Sequence, residues 1–120
     1  MPIERRKYPR FKIVIPAVIH HPYNEHAETA DISLGGVAIY NIQKYYNTEE
    51  TVGLELILGE ESGSVFCNAR VASIYPNTKD AEIYKLHLEF LDMSDEDKKK
   101  LKDWITASGA TPDEGSDRIE

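Results

Sequence analysis

Apolar and polar residues alternate in several short runs along the chain. The first run places an apolar side chain at every second position from residue 11 to residue 19. A period of two is typical of a β-strand with one buried face. Further runs with the same pattern predict strands at 54–58, 65–71 and 84–90, and two shorter segments at 27–33 and 37–40 are also predicted as strands. About six antiparallel strands with turn signals at short intervals predict a mainly β domain, either a small barrel or a sandwich.

One helix is predicted after the last strand. Ser94 is a good N-cap, and Asp97 occupies the third helical position of a capping-box pattern. An apolar stripe on this helix can cover an open end of the barrel, and it consists of Leu101, Trp104 and Ile105. From residue 108 the sequence is rich in Gly, Pro, Ser and acidic residues, so we expect a disordered acidic tail at 108–120.

The charge is distributed unevenly along the 120 residues, whose net charge is −7. Residues 1–12 carry five basic side chains and one acidic side chain, a net +4, which leaves −11 for the rest of the chain. A local positive segment on an acidic body suits a small anion, whereas a long polyanion would be repelled beyond that segment. We therefore expect a flexible basic N-terminal arm at 1–10, a folded domain at 11–107, and no binding of DNA or RNA.

Composition also indicates the cellular setting. No apolar run approaches the roughly 18 residues that span a bilayer, so we expect no membrane insertion. The N-terminus has no apolar signal-peptide core, and the single cysteine, Cys67, has no partner for an internal disulfide. These features predict a cytoplasmic protein. No nucleophile–base pair, paired catalytic carboxylates or metal-ligand set is apparent, so we expect no enzymatic activity, no metal and no cofactor.

Two polar clusters carry the candidate chemistry. In the first, Arg6 and Arg10 lie four residues apart, and the guanidinium group matches phosphate and can also engage a guanine edge. In the second, Asp31 and Ser33 lie two residues apart at a strand end, beside a glycine turn at Gly35 and Gly36. A carboxylate there can accept hydrogen bonds from N1–H and the exocyclic amine of guanine. Each cluster alone is often only a solvated tail or a turn.

The combination Arg6-x-x-x-Arg10 followed by Asp31-x-Ser33-x-x-Gly36 resembles the paired motifs of PilZ domains, bacterial receptors for the second messenger cyclic di-GMP. The resemblance covers about residues 4 to 106 and implies a six-stranded antiparallel β-barrel with a C-terminal helix. It also implies that the two arginines bind phosphates and guanine, that the carboxylate and hydroxyl read a guanine edge, and that the glycines Gly35 and Gly36 shape the turn. One departure is His87, where many members have glycine.

Arg5 precedes the first motif arginine directly. That arrangement resembles the subset of the family that takes two stacked cyclic di-GMP molecules, and a third guanidinium could cover the additional guanine face. The alternative is that Arg5 only raises the local charge. Arg70, on the outer face of a predicted strand, could reach either the ligand or a surface acid, and a surface acid is the simpler expectation.

The resemblance therefore implies a non-enzymatic receptor used in signal transduction, which relays ligand binding through an ordered surface to an unidentified downstream protein. Two alternatives remain open at this point. The first is a PilZ-like interaction module that does not bind the nucleotide. The second is a small barrel that binds single-stranded nucleic acid through Tyr8, Phe11 and the basic arm, which the acidic body disfavours.

Overall fold

The computed structural model describes residues 8–76 and 83–112, which form a closed barrel of six antiparallel strands followed by one helix. The elements are β1 (Pro16–His21), β2 (Glu25–Ile32), β3 (Gly36–Ile42), β4 (Thr51–Gly59), β5 (Gly63–Pro76), β6 (Tyr84–Phe90) and α1 (Asp95–Ser108). Around the barrel the order is β1-β2-β3-β6-β5-β4, and β4 pairs back onto β1. The predicted mainly β domain with a C-terminal helix is confirmed, and the architecture is a barrel.

The long strand β5 closes the barrel. Its first half pairs with β4, and its second half pairs with β6 across a bulge between Val71 and Ser73. The alternating apolar residues of all six strands point inward and are almost completely buried, as at Ile19, Ile32, Ile39, Leu56, Val71 and Leu86. The period-two pattern in the sequence therefore identifies the interior face of β1, β4, β5 and β6 correctly.

The first strand begins later than its hydrophobic pattern predicts. Residues 11–15 alternate in burial but lie outside β1, because the buried Thr29 side chain replaces part of the strand ladder. Its hydroxyl accepts a hydrogen bond from the Ile15 amide at 2.9 Å and donates one to the Ile13 carbonyl at 2.6 Å. Phe11 then forms an isolated bridge with Ile32, with both backbone hydrogen bonds at 2.8–2.9 Å. The segment before β1 is thus fixed against β2.

The helix α1 has the predicted boundaries at its N-terminus. The Ser94 hydroxyl accepts a hydrogen bond from the Asp97 amide at 3.1 Å, and Gly109 ends the helix in a left-handed conformation with φ of 75°. Leu101 and Ile105 are buried in the core, and Trp104 packs against it. The predicted apolar stripe is confirmed. No helix among the described residues is long and apolar enough to cross a membrane.

The boundary predicted at residue 108 is too early. Ser108 is the last residue of α1, and Pro112 forms an isolated bridge with Phe11, so the chain is structured to residue 112. The remaining predicted tail residues, 113–120, lie outside the described part of the chain, as does the predicted turn after Pro76.

Candidate functional site

A cavity of about 390 Å³ opens on the outer face of the barrel, where β2, β3, β5 and β6 meet the segment before β1. Five of the residues predicted to bind a ligand line this cavity: Arg10, Asp31, Ser33, Gly35 and Gly36. The other two predicted residues, Arg5 and Arg6, lie outside the described residues. The structure thus brings together residues of both sequence clusters.

A row of directly paired residues begins in the cavity, whose lining includes Asp31, Ala38 and His87, and continues to Ser73 beside it. Asp31 on β2 pairs with Ala38 on β3, Ala38 pairs with His87 on β6, and His87 pairs with Ser73 on β5. Directly paired residues lie on the same face of a sheet, so this row faces outward. Asp31 and His87 are two strands apart, about 10 Å between Cα atoms. The small Ala38 between them leaves a depression with an acid on one side and an imidazole on the other.

A second outward-facing row runs parallel to the first, two residues closer to the glycine turn along β3. Gly36 pairs with Glu89, and Glu89 pairs with Arg70. Arg70 Nη1 lies 2.8 Å from Glu49 Oε2, and Arg70 Nη2 lies 2.6 Å from Glu89 Oε1. Arg70 therefore contacts surface acids, as expected, and it also lines the cavity. The cavity thus contains a second guanidinium besides Arg10, already held by two carboxylates.

The glycine turn after β2 is built around Ser33. Its hydroxyl accepts hydrogen bonds from the amides of Gly35 and Gly36, both at 3.1 Å, and donates one to the Gly36 carbonyl at 3.2 Å. Side-chain bonds of this kind fix a turn locally. In this structure the Ser33 hydroxyl is occupied in shaping the cavity edge. The expectation that Ser33 reads a guanine edge stays a prediction.

Two glycines allow close approaches that a larger residue would block. A Cβ atom at Gly36 would collide with the backbone carbonyl oxygen of Leu88 on the neighbouring strand. A Cβ atom at Gly35 would lie 2.7 Å from the Tyr8 ring, which packs over the turn. Gly36 is therefore needed for β3 and β6 to pair at this point, and Gly35 lets the N-terminal segment lie against the turn.

The position of Arg10 follows from the neighbouring contacts of the chain. Phe11 forms a bridge with Ile32, which follows Asp31 on β2. Arg10, the residue before Phe11, therefore lies on the same side of β2 as the cavity. The buried Thr29 anchors the following residues. A guanidinium and a carboxylate that are 21 residues apart in sequence therefore line the same cavity.

The imidazole of His87 forms the far side of the cavity and is half-buried. Its ring packs edge-to-face on Tyr75, with 5.4 Å between centroids and 71° between planes. Burial lowers the pKa of His87, the cations Arg10 and Lys85 lower it further, and Asp31 acts in the opposite direction. His87 is therefore neutral over a wider pH range than an exposed histidine.

Sequence reasoning did not assign His87, Glu89 or Ala38 to the site. Each lies in the middle of an ordinary alternating strand, and only the register between strands places it beside the motif residues. Single-strand periodicity shows that His87 faces outward but not which residues of other strands it faces. Among the described residues, no group of three or more potential ligands could hold a metal ion.

Comparison with known proteins identifies the family. A family model described as the PilZ domain matches residues 4–107, which is most of the chain. The protein belongs to the PilZ domain family. No curated protein sequence matched this chain.

Several solved structures resemble the barrel and helix. The structure of the Bacillus subtilis inhibitor of motility, MotI/DgrA, has a TM-score of 0.75 at 25% identity, covering 88% of this chain and 52% of that one. The PilZ domain of Escherichia coli YcgR with c-di-GMP has a TM-score of 0.67 at 21% identity, covering 87% of this chain and 90% of that one. The K. pneumonia MrkH–c-di-GMP complex has a TM-score of 0.72 at 18% identity, covering 88% of this chain and 53% of that one. This chain spans about half the length of MotI and MrkH.

Proposed function

We propose that this protein is a non-enzymatic receptor for cyclic di-GMP and that the nucleotide binds in the outer cavity of the barrel. The observation that carries the proposal is that Arg10 and Asp31 line the same cavity, beside the glycine turn. A cyclic purine dinucleotide presents both phosphates and guanine edges, which these two groups complement. Membership of the PilZ family and the likeness to YcgR with c-di-GMP support the same ligand.

The cavity residues have distinct roles in this proposal. Arg10 holds phosphate oxygens through its guanidinium, and Asp31 accepts hydrogen bonds from N1–H and the amine of one guanine. Ser33 holds the turn, so that Gly35 and Gly36 let the nucleotide approach the backbone. The basic residues of the 1–10 arm, Arg5 and Arg6 among them, contribute further cationic contacts when the ligand is bound.

Ligand binding also supplies a mechanism for the relay. The two phosphates neutralise the net positive charge of residues 1–12, which removes the repulsion among their basic side chains. The arm then closes over the nucleotide and presents a new surface to a downstream protein. Arg5 favours a stacked pair of nucleotides, since it adds a guanidinium beside Arg6 in the arm.

Isothermal titration with cyclic di-GMP tests the proposal and gives the stoichiometry. We expect saturable binding that weakens as salt is raised, because the contacts to phosphate are charge-assisted. Two ligands per protein would support the stacked pair, and one at saturation would exclude it. Absence of binding at high ligand concentration would instead favour an interaction module that does not use the nucleotide. Competition by short oligonucleotides would contradict the assigned ligand class.

A further inference from the structure

His87 occupies a position in the cavity that the proposed function leaves without a role. Its imidazole lines the same cavity as Arg10 and Asp31 and lies in the same outward-facing row as Asp31, across the small Ala38. The edge-to-face contact with Tyr75 supports the ring from the β5 side. A ligand that fills the depression over Ala38 would therefore meet the imidazole on the opposite side from Asp31.

The charges around this imidazole are placed to respond to an anion. Arg10 approaches from the segment before β1, Lys85 lies two residues away on β6, Asp31 faces it from β2, and Tyr75 faces it from β5. Glu89 and Arg70 also line the cavity but are paired with each other. Burial is the largest influence that keeps the imidazole neutral, and the two cations Arg10 and Lys85 outweigh the single carboxylate of Asp31. A bound phosphate would reverse that balance, because it brings negative charge next to Arg10 and hence next to His87.

We propose that His87 is a further ligand contact, which takes up a proton when the nucleotide binds and donates a hydrogen bond to a phosphate oxygen that Arg10 also holds. The inference rests on the proposed function, since it assigns a new residue and a pH response to the same cavity. The proton comes from the solvent and resides on the second ring nitrogen of the imidazole, so no other group in the protein has to change its charge.

The sign of the pH response follows from linkage. The pKa of His87 lies below its ordinary value of 6.5. A phosphate bound beside Arg10 would raise this pKa, because it adds negative charge near the imidazole. The complex then binds more protons than the free protein. The affinity for the nucleotide therefore increases as the pH falls from the pKa of His87 in the complex to its lower pKa in the free protein. Each unit by which the ligand raises the pKa adds up to about tenfold in affinity at low pH. We expect roughly three- to tenfold tighter binding at pH 5.5 than at pH 8.

The experiment is isothermal titration of the full chain with cyclic di-GMP at pH 5.5 and pH 8, in two buffers of different ionisation enthalpy at each pH. The parent protein should show proton uptake and tighter binding at the lower pH. His87→Asn keeps a polar side chain and should lose both effects. His26→Asn is the matched control, because His26 is an exposed histidine on β2 that does not line the cavity, and it should behave as the parent.

A second measurement does not depend on any variant folding. The His87 ring proton signals of the parent protein, followed by NMR as a function of pH, should give a higher pKa with saturating cyclic di-GMP than without it. Binding by the parent with an unchanged His87 titration would overturn the inference and leave the proposed function intact. The inference would also be overturned if His87→Asn lost affinity while binding by the parent showed no pH dependence. Absence of binding by the parent overturns both.

Discussion

The barrel carries depressions on two sides of its outer face, and they differ in chemistry more than in size. The cavity over β3 and β6 measures about 390 Å³, and its lining includes Arg10, Asp31 and Arg70. The depression over β4 and the start of β5 is larger, about 620 Å³, and none of the described residues lining it is an arginine or lysine. Size alone would therefore favour the larger depression, which offers no arginine or lysine to an anionic ligand.

The polar groups of the larger depression already bind one another. His20 Nε2 lies 2.8 Å from Glu55 Oε1, and the Asn68 amide groups donate to Asp92 at 2.7 and 2.8 Å. The exposed Phe66 ring stacks beside His20, with 6.5 Å between centroids. On the cavity side, by contrast, small residues form the floor and charged residues form the rim. Convergent charges of both signs, rather than concavity, mark the candidate site.

The largest effect is expected from placing a methyl group on the floor of the cavity. Gly36→Ala forces a Cβ atom into the Leu88 carbonyl oxygen, which is backbone and cannot move aside without separating β3 from β6. We expect a loss of about 1–3 kcal/mol in the free energy of unfolding, measured by urea denaturation. Cyclic di-GMP binding should be lost, because the same movement shifts the turn and the cavity edge.

Gly53→Ala on the opposite side is the matched control. A Cβ atom there meets its nearest neighbour, His21 Cβ, at 3.6 Å, an ordinary contact. Its free energy of unfolding should stay within about 0.5 kcal/mol of the parent, and binding should be unchanged. Equal stability losses in the two variants would show that the tight β3–β6 approach is not what Gly36 provides.

The next effect in size concerns the cation on the rim. Arg10→Ala removes a charge-assisted hydrogen bond, which costs about 1.5–3 kcal/mol and lowers affinity at least about tenfold. The fold should persist, since Arg10 precedes the bridged Phe11 and lies outside the strands. Titration calorimetry measures the affinity, and Lys98→Ala on the exposed helix face removes the same charge as a control. Equal affinity of Arg10→Ala and the parent would mean that Arg10 does not bind phosphate.

A smaller loss of affinity is expected from Asp31→Ala, together with a change in specificity. Without the carboxylate, the cavity cannot accept from the guanine N1–H and amine, so the preference for cyclic di-GMP over cyclic di-AMP should shrink. Glu28→Ala, on the same strand but outside the cavity lining, controls for loss of an acidic group. A preference that is unchanged in Asp31→Ala would remove Asp31 from base recognition.

The smallest effect is expected from a substitution near the larger depression, at Glu55 on β4, and it concerns stability alone. The hydrogen bond from His20 is the largest of the influences that lower the pKa of Glu55, whose ordinary value is 4.5. A lowered pKa in the folded state adds stability above pH 4.5, and this stability is lost as the pH falls through the folded value. Glu55→Gln should therefore cost less than about 1 kcal/mol at pH 7. Urea denaturation at pH 7 and pH 3 should show the difference vanish in acid, while nucleotide binding at pH 7 is unchanged.

The interior of the barrel could be predicted from the sequence because burial follows a local period. Leu56 and Leu86, for example, are identified as interior residues by their own strands alone. The helix start at Ser94 is also local, since the cap depends on a residue three positions away. The late start of β1 was missed, because it depends on a hydrogen bond between Thr29 and a segment 14 residues earlier.

The candidate site could be predicted only where a motif carried it. Arg10 and Asp31 were recognised as a pair through the family resemblance, and the structure places both on one cavity. His87 and Glu89 could not be assigned to the site from the sequence, because their positions in it depend on how β6 is aligned with β3 and β5. Ser33 illustrates the opposite difficulty: its motif position was evident, but the hydrogen bonds of its hydroxyl to the turn follow only from the folded backbone.

The most direct test of the account is an amide NMR titration of the parent protein with cyclic di-GMP, comparing the two sides of the barrel. We predict that the largest shifts occur at Gly35, Gly36 and His87, and that Gly53 and Phe66 remain unchanged at saturation. Shifts centred on Gly53 and Phe66, or no shifts anywhere at saturating nucleotide, would contradict the assignment of the ligand to the cavity that holds Arg10 and Asp31.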